Sequence, residues 1–236
     1  LSPKKLRLIM ADLGPTFVKI GQIMALHSDI LPKAYCDELM ELCTDARPMP
    51  FEEAVSVIDE SYGRSWKKVF ASIEETPIGS ASIAQVHRAV LKSGEEVVVK
   101  IQRKGIYEMM ARDIDFIRKA IKLMPPISLK GMADFDLVLD ELWSVTRDEM
   151  NFLTEASNIE EFARRNKDVN FVQTPVLYQQ YTTVHVLVME YIDGCGIDEK
   201  DKLLEDGYDL KEIGSKLVDN YIKQEMDDGY FHAEPH

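Results

Sequence analysis

The sequence predicts an α+β fold in which a small sheet, interrupted by long helices, lies between two helical regions. Apolar side chains recur at helical spacing in residues 1–60, and β-rich runs follow within residues 83–101. Longer helical segments return after residue 106. With 236 residues, of which 45% are hydrophobic and 29% charged, the chain can bury a core without a disulfide or a metal ion.

Charge and cysteine content restrict the function classes. Asp plus Glu number 41 and Lys plus Arg 28, and the formal net charge of −13 argues against a general nucleic-acid binder. No apolar run approaches the ~18 residues of a membrane span. Three cysteines without a C-x-x-C pair predict reduced thiols in a cytosolic setting. The chain starts without Met and ends on GYFHAEPH, so we expect it to be part of a longer protein.

The first region is predicted to consist of helices separated by short breaks. Pro15 suits the first turn of a helix, and a second helix is expected after Pro32. A third helix should begin at Phe51 and end at Tyr62, because Gly63 favours the backbone conformation that terminates helices.

Two strands joined by a tight turn are predicted next. Residues 83–91 are β-rich, and residues 92–95 (KSGE) have the composition of a hairpin turn. Residues 97–101 (VVVKI) form an apolar run, which predicts a strand with both faces buried. The remaining predicted elements are two helices, two strands and a last helix, over residues 106–123, 135–166, 176–180, 184–189 and 210–226.

Three separate segments have the chemistry needed to hold a nucleotide. Residues 77–87 (PIGSASIAQVH) are small enough for backbone amides to approach a phosphate, although a tight, well-packed turn is the simpler interpretation of this segment alone. Lys100 lies on an apolar strand and must reach either solvent or an anion. Residues 186–194 run from an apolar strand into a glycine, as in a kinase hinge or an ordinary buried strand with a turn. Protein kinases combine such a loop with a strand lysine that a helix glutamate orients.

Five motifs in order along the chain carry a resemblance to a known family. They are KIGQ at residues 19–22, SASIAQVH at 80–87, VKIQR at 99–103, EMNFLTEASN at 149–158 and FHAEPH at 231–236. In these motifs the sequence resembles the UbiB/ABC1 (AarF, ADCK) atypical kinase-like family. That family carries K-x-G-Q, an alanine-rich loop, a nucleotide-lysine strand, E-x-D-F-x-x-E-A-x-N and F-H-A-D-P-H-P-G-N.

The resemblance implies a protein-kinase-like two-lobe fold with a truncated C-lobe. Residues 1–66 would be a helical N-terminal extension that lies across the pocket where a protein substrate would sit. Residues 67–193 would be the N-lobe with inserted helices, and residues 194–236 the start of the C-lobe. Lys19 and Gln22 share a helix face at i and i+3 and would project into the nucleotide site, while Gly21 would permit close helix approach.

The same resemblance implies roles for individual residues. Lys100 and Glu155 would form the nucleotide-binding lysine–glutamate pair, and the backbone of Glu190 and Ile192 would meet the adenine. The alanine-rich loop would cover the phosphates with Ser80, Ala81, Ser82, Ile83 and Ala84.

The pairing of the acidic residues stays open in the sequence. Glu155 follows Glu149 by one and a half helical turns, so the two cannot serve one partner from the same helix face. We assign Glu155 to Lys100, and Glu149 with Asn151 to the side of Lys19. The reverse assignment is the alternative.

Two residues depart from the family pattern. Asn151 stands where the E-x-D motif has aspartate, and Glu234, the candidate catalytic residue, stands where the catalytic loop has aspartate. Glutamate is one methylene longer, and a misplacement near ~1 Å can lower a rate by ~10²-fold. The expected Mg²⁺ ligands, a downstream asparagine and the D-F-G aspartate, would lie beyond residue 236, so no metal ligand is expected within the chain.

The function implied by the resemblance is that of an ATP-binding atypical kinase-like protein, using ATP and Mg²⁺ and linked to ubiquinone or isoprenoid-lipid biosynthesis. Such a protein would be an ATPase or a small-molecule or lipid kinase, cytoplasmic or bound to a membrane peripherally through segments outside this chain. The alternative is a catalytically impaired pseudokinase that acts as a nucleotide-gated binding or scaffold protein. Residues 1–236 alone are expected to be inactive.

Overall fold

The computed structural model describes residues 2–25, 28, 31–43, 47–123 and 135–231. Within the predicted N-terminal extension (residues 1–66), the part before residue 44, which is called the extension from here on, contains α1 (Pro3–Leu13), α2 (Pro15–Ala25) and α3 (Lys33–Met40), followed by a 3₁₀ turn at Glu41–Cys43. These helices enclose a small core of their own around Met10, Ala25, Leu39 and Leu42. The helix start at Pro15 is as predicted, whereas the sequence interpretation did not separate α1 from α2.

Helix α4 (Phe51–Tyr62) begins and ends where the sequence predicts. Gly63 follows it with φ 62°, a left-handed conformation that glycine adopts without the steric cost of a Cβ. The helix then leads through a 3₁₀ turn at Trp66–Lys68 into the sheet.

The sheet is antiparallel and has the order β1-β3-β4-β5, with β2 also paired to β3. Its strands are β1 (Phe70–Ile73), β2 (Gly79–Ser80), β3 (Ala84–Leu91), β4 (Glu96–Gln102) and β5 (Val186–Glu190). The predicted turn at residues 92–95 joins β3 to β4, with Gly94 at φ 105°. Val97, Val98, Val99 and Ile101 are all buried, which confirms that β4 is covered on both faces.

Different helices cover the two faces of the sheet. Val57 and Ile58 of α4 pack on the face that carries Val97, Val99 and Ile101. On the opposite face, Phe152 and Ala156 of α7 (Phe152–Asn166) pack against Ala84 and Leu187. Lys100 alternates with Val99 and Ile101 along β4, so it lies on the α7 face.

The predicted single helix over residues 135–166 is wrong, because the chain breaks at Met150-Asn151. Helices α5 (Ile106–Leu123) and α6 (Phe135–Glu149) precede the break, and α7 follows it. Asn151 has extended backbone angles, and its side chain accepts a hydrogen bond from the Leu153 amide at 3.1 Å, which starts a new helix. The Phe152 amide donates to the Val184 carbonyl at 3.1 Å.

The C-terminal part differs from the prediction at one strand. Residues 176–180 supply only a single β-bridge, between Leu177 and Met189, and a 3₁₀ turn forms at Gln179–Tyr181. Helices α8 (Lys200–Glu205) and α9 (Leu210–Ile222) follow, and α9 continues into a π-helical turn at Lys223–Asp228. No helix in the described part of the chain is both long and apolar enough to cross a membrane.

Buried side-chain amides connect α9 to the end of α7. The Asn220 amide donates to the Asn166 Oδ1 at 2.7 Å, and the Gln224 amide donates to the Asn220 Oδ1 at 2.5 Å. All three side chains are buried. Hydrogen bonding between these amides offsets the cost of removing them from water.

Candidate functional site

Lys100 and Glu155 form a two-point ion pair on the α7 face of the sheet. The Lys100 Nζ lies 2.9 Å from Glu155 Oε1 and 2.8 Å from Oε2, and about a third of each side chain is exposed. The Nζ also lies 5.1 Å from the centroid of the Phe152 ring. The predicted pairing is confirmed.

Local structure explains why these two side chains meet. Lys100 is opposite Val86 on β3 and Leu187 on β5, in the middle of the sheet. The cap at Asn151 fixes the start of α7, so Phe152 and Glu155 lie three residues apart on one helix face. Phe152 therefore packs against the sheet while Glu155 reaches the lysine.

A second ion pair joins the extension to the inserted helices. The Lys19 Nζ lies 2.6 Å from Glu149 Oε2, with Lys19 16% and Glu149 47% exposed. The assignment of Glu149 to Lys19 is confirmed, so the reverse assignment is wrong. Next to this pair, the buried Thr16 hydroxyl donates to Asp113 Oδ2 on α5 at 2.5 Å.

The other two residues of the KIGQ motif stabilise the extension itself. Gln22, which we expected beside Lys19 at the nucleotide site, instead donates from Nε2 to the Leu42 carbonyl at 3.2 Å. Gly21 is buried, and a Cβ at this position would collide with the Leu42 side chain and press on Met10. The predicted close helix approach at Gly21 is therefore confirmed.

The alanine-rich loop is a tight turn at the start of β3. The Ala81 amide donates to the Ala84 carbonyl at 2.8 Å, and Ile83 and Ala84 are buried while Ala81 is exposed. The amides of Ser82 and Ile83 donate no hydrogen bond to any residue within the described ranges. Ser80, at the end of β2, leads into this turn. Two adjacent free amides are the arrangement that a phosphate oxygen needs.

The segment at the end of β5 and directly after it is the predicted hinge. The Glu190 amide donates to the Val176 carbonyl at 2.8 Å, and its carboxylate accepts from the Val176 amide at 3.0 Å. The Tyr191 amide donates to Glu96, after which the chain leaves the sheet. Ile192 is 46% exposed, and its amide makes no hydrogen bond to the residues that the structure describes. The Ile192 amide is thus available to a ligand.

The sequence matches the ABC1 atypical kinase-like domain over residues 41–236. The chain belongs to the ABC1 atypical kinase-like family. This confirms the resemblance that the motifs carry, and the fold is kinase-like, with mixed helices and an antiparallel sheet.

Several relatives of this ABC1 chain are similar to nearly all of it. It is 43% identical over 235 residues to an uncharacterized protein in the hydrogenase 1 5′ region of Clostridium pasteurianum, covering 100% of this chain and 44% of the relative. It is 40% identical to the chloroplastic protein ACTIVITY OF BC1 COMPLEX KINASE 8 of Arabidopsis thaliana, covering 95% of this chain and 30% of the relative. The probable protein kinase UbiB of Pseudomonas fluorescens is 34% identical, with 98% of this chain and 44% of the relative covered.

A solved structure of similar fold is that of Rv3197 from Mycobacterium tuberculosis in complex with erythromycin. The two chains are 30% identical with a TM-score of 0.55, and the match covers 81% of this chain and 48% of that chain. The ABC1 chain therefore spans less than half the length of these relatives.

The remaining candidate residues of the ABC1 chain differ in what the structure says about them. Asn151 caps α7 instead of contacting Lys19 through a side-chain hydrogen bond. Glu234, the candidate catalytic residue, lies outside the described residues. Among the residues that are described, no three His, Cys, Asp or Glu side chains are grouped so that they could hold a metal ion.

Sequence reasoning missed two residues that shape the site. Phe152 lies under the lysine, and its spacing of three residues from Glu155 was an available signal. Gln102 is buried two residues after Lys100, on the same face of β4. Its Nε2 donates to the Met150 carbonyl at 2.8 Å, and its Oε1 lies 2.6 Å from His185 Nδ1, so it joins β4 to the break before α7.

Proposed function

We propose that this chain forms the nucleotide-holding part of an ATP-dependent atypical kinase-like protein. The observation that carries the proposal is the Lys100–Glu155 pair, with both carboxylate oxygens within 2.9 Å of the ammonium. The alanine-rich loop enters the sheet at Ala84, which is paired with Gln102, only two residues from Lys100. The Lys100 ammonium and the free amides of the loop are therefore close enough along the sheet to suit the phosphates of one nucleotide.

Each part of the site would hold a different part of ATP. The Lys100 ammonium suits the α- and β-phosphates, and the amides of Ser82 and Ile83 suit phosphate oxygens. The Ile192 amide and the Glu190 carbonyl suit the adenine edge. ATP would supply the phosphoryl group, and Mg²⁺ would neutralise charge on its phosphates. Among the described residues, no three His, Cys, Asp or Glu side chains are grouped so that they could hold that metal.

The substrate class that we favour is a small or lipid-linked molecule, in a reaction of ubiquinone or isoprenoid-lipid biosynthesis. The support is the extension, which is attached to the inserted helices by Lys19–Glu149 and Thr16–Asp113. A segment held across the cleft would leave little room for a protein substrate. We further propose a cytoplasmic protein that associates peripherally with a membrane through segments outside this chain.

A second candidate function is that of a pseudokinase, which binds nucleotide without turnover. Glu234 favours it, because a glutamate in place of the catalytic-loop aspartate would displace the carboxylate. Asn151 does not favour it, since asparagine and aspartate cap a helix about equally well and Asn151 acts here as a cap.

Nucleotide binding and turnover of the full-length protein separate these functions. ATP with Mg²⁺ should raise the melting temperature, and ATP hydrolysis should exceed that of a Lys100→Met control. Binding without turnover would support the pseudokinase, especially if Glu234→Asp then restores hydrolysis. Absence of any ATP effect on melting, with the protein folded, would contradict both functions and leave an α+β binding module without a nucleotide.

A further inference from the structure

Arg103 lies directly after β4 and binds the alanine-rich loop at three points. Its Nε donates to the Ala81 carbonyl at 2.8 Å, and its Nη2 donates to the Ser80 hydroxyl at 2.9 Å. Its own backbone amide donates to the Ile83 carbonyl at 2.8 Å. The rigid, planar guanidinium presents these two donors along one edge, which a flexible lysine ammonium cannot do.

This arrangement determines where the free amides of the loop point. In a trans peptide the carbonyl of one residue and the amide of the next point in opposite directions. Since the Ala81 carbonyl points to Arg103, the Ser82 amide is directed away from it. The bond to Arg103 thereby fixes the orientation of a donor that has no partner among the described residues.

The same guanidinium reaches the linker between the extension and α4. Arg103 Nη2 donates to the Arg47 carbonyl at 2.9 Å. Met49 lies two residues after Arg47 in the linker. The buried Gln85 side chain accepts a hydrogen bond from the Met49 amide at 2.8 Å and donates one to the Met49 carbonyl at 3.4 Å. Gln85 belongs to β3, directly after the loop. The linker is therefore bound by Arg103, whose side chain also binds the loop, and by Gln85, which follows the loop in the chain.

The charge of Arg103 is not balanced by a carboxylate within the described part of the chain. Its three side-chain hydrogen bonds go to two carbonyls and a hydroxyl. Burial lowers the pKa of the guanidinium from its usual value, but arginine remains protonated at neutral pH. A cation that binds only neutral oxygens leaves a positive potential around the loop.

We propose that Arg103 is a positioning residue that holds the alanine-rich loop and the extension linker in one arrangement, with the loop amides oriented for the phosphates of a nucleotide. The proposal rests on the proposed nucleotide site and adds a link from that site to the extension. Movement of the linker reaches the loop through one guanidinium, so the position of the extension influences phosphate binding.

The first test needs no nucleotide. Amide hydrogen exchange is compared in the wild type, Arg103→Gln and Arg103→Lys. We expect Arg103→Gln to raise the exchange rates of the Ala81 and Met49 amides by about tenfold, because both segments lose a shared anchor. Arg103→Lys should give an intermediate increase in exchange, because lysine keeps the positive charge but lacks the paired N–H donors of the guanidinium. Faster exchange in the loop with an unchanged linker would overturn the link between them.

The second test compares ligands with and without phosphates. Arg103→Gln should weaken ATP and ADP binding by about tenfold, the size expected when a charge-assisted hydrogen bond is lost, and leave adenosine binding within about twofold. The matched control is Arg7→Gln, which removes a similarly half-buried arginine from its bond to Glu38 at 2.8 Å within the extension. Arg7→Gln should leave the binding of ATP, ADP and adenosine unchanged.

The outcomes separate this proposal from the function on which it rests. Equal losses for ATP and adenosine would mean that Arg103 supports the fold in general, which overturns its positioning role. If the wild type binds no nucleotide while both segments exchange faster in Arg103→Gln, the proposed function fails and the link between loop and linker stands. If Arg103→Gln does not fold, Arg103→Lys and Ser80→Ala serve in the same comparison.

Discussion

The two lysine–glutamate pairs differ in the structures that bring them together. Lys100 and Glu155 belong to a central strand and to the helix that packs on it, and they meet through both carboxylate oxygens. Lys19 and Glu149 belong to the extension and to the end of α6, and Glu149 is nearly half exposed. The Lys100–Glu155 pair, called the inner pair, is set by the register of the sheet. The Lys19–Glu149 pair, called the outer pair, depends on how the helices of the extension dock on α6.

This difference separates two tasks. The inner pair stays in place as long as β4 and α7 remain folded, which suits a site that must hold phosphates in a fixed geometry. The outer pair reports the position of the extension, whose helices share a small core of their own, separate from that of the sheet. Variants of each pair should therefore affect different measurements.

The largest effect is expected from Lys100→Met. Without the ammonium, the protein should lose the ATP-dependent stabilisation, which mass action sets at ~2.7 kcal/mol at ~100 times Kd. The melting temperature without ligand should change little, because the pair is partly solvated. Thermal unfolding with and without ATP measures both quantities.

The control for Lys100→Met is Lys104→Met, which breaks a pair with Glu60 of 2.6 Å on the α4 side of the sheet. It should keep the full ATP shift. A normal ATP shift in Lys100→Met would remove the inner pair from the nucleotide site.

A smaller effect is expected from Gly21→Ala. Its Cβ would collide with Leu42, and overpacking of this kind destabilises by about 1–3 kcal/mol. Hydrogen exchange should increase in α2 and remain unchanged in β4. Gly214→Ala is the control, since Gly214 lies in α9 with open space around it, and alanine there should stabilise the helix by about 0.5–1 kcal/mol. Faster exchange in β4 would show that the two units are not independent.

Lys19→Met should have a weaker effect. The Glu149 side chain is 47% exposed, so we expect a loss of less than about 1 kcal/mol in urea unfolding, together with faster exchange in α2. Lys33→Met removes an exposed pair within α3 and should leave the exchange of α2 unchanged. Equal effects of the two variants would mean that the outer pair does not attach the extension.

The smallest effect concerns pH and the buried His87. Its Nδ1 donates to the Glu74 carbonyl and its Nε2 accepts from Gln85, each at 2.7 Å, so the ring is held neutral. Burial lowers the pKa of His87, and the unfolded chain therefore binds the proton more readily. The stabilising contribution is complete above pH ~6.5 and is lost as pH falls below that value towards the lowered pKa.

Melting temperatures between pH 7.5 and 5 test this expectation. His87→Gln should flatten the decline at acid pH. An unchanged slope in His87→Gln would assign the acid sensitivity to other groups.

The elements that the sequence predicted well are those with local signals. The hairpin turn at residues 92–95 contains a glycine and lies between two β-rich, apolar runs, and α4 ends just before Gly63. Both occur as expected. Lys100 could be singled out because a lysine within an apolar strand needs a partner. Family motifs then supplied Glu155 as that partner.

The features that sequence reasoning missed depend on contacts distant in the chain. Helix-forming residues continue across Asn151, and the break there combines the Asn151 cap with a bond from the Phe152 amide to the distant Val184. The strand expected at residues 176–180 has suitable residues but only one bridge to β5. The role of Arg103 follows from acceptors 20 or more residues away, which no local pattern reveals.

Helix α7 is fixed by hydrogen bonds at both of its ends. At one end Phe152 is bonded to Val184, and at the other the buried amides of Asn166 and Asn220 hold it against α9. A helix held at both ends cannot rotate about either one. Freeing an end would leave buried polar groups without hydrogen bonds, at a cost of about 1–3 kcal/mol each. Glu155 is thus carried by a helix that is fixed at both ends, so its carboxylate keeps its place beside Lys100.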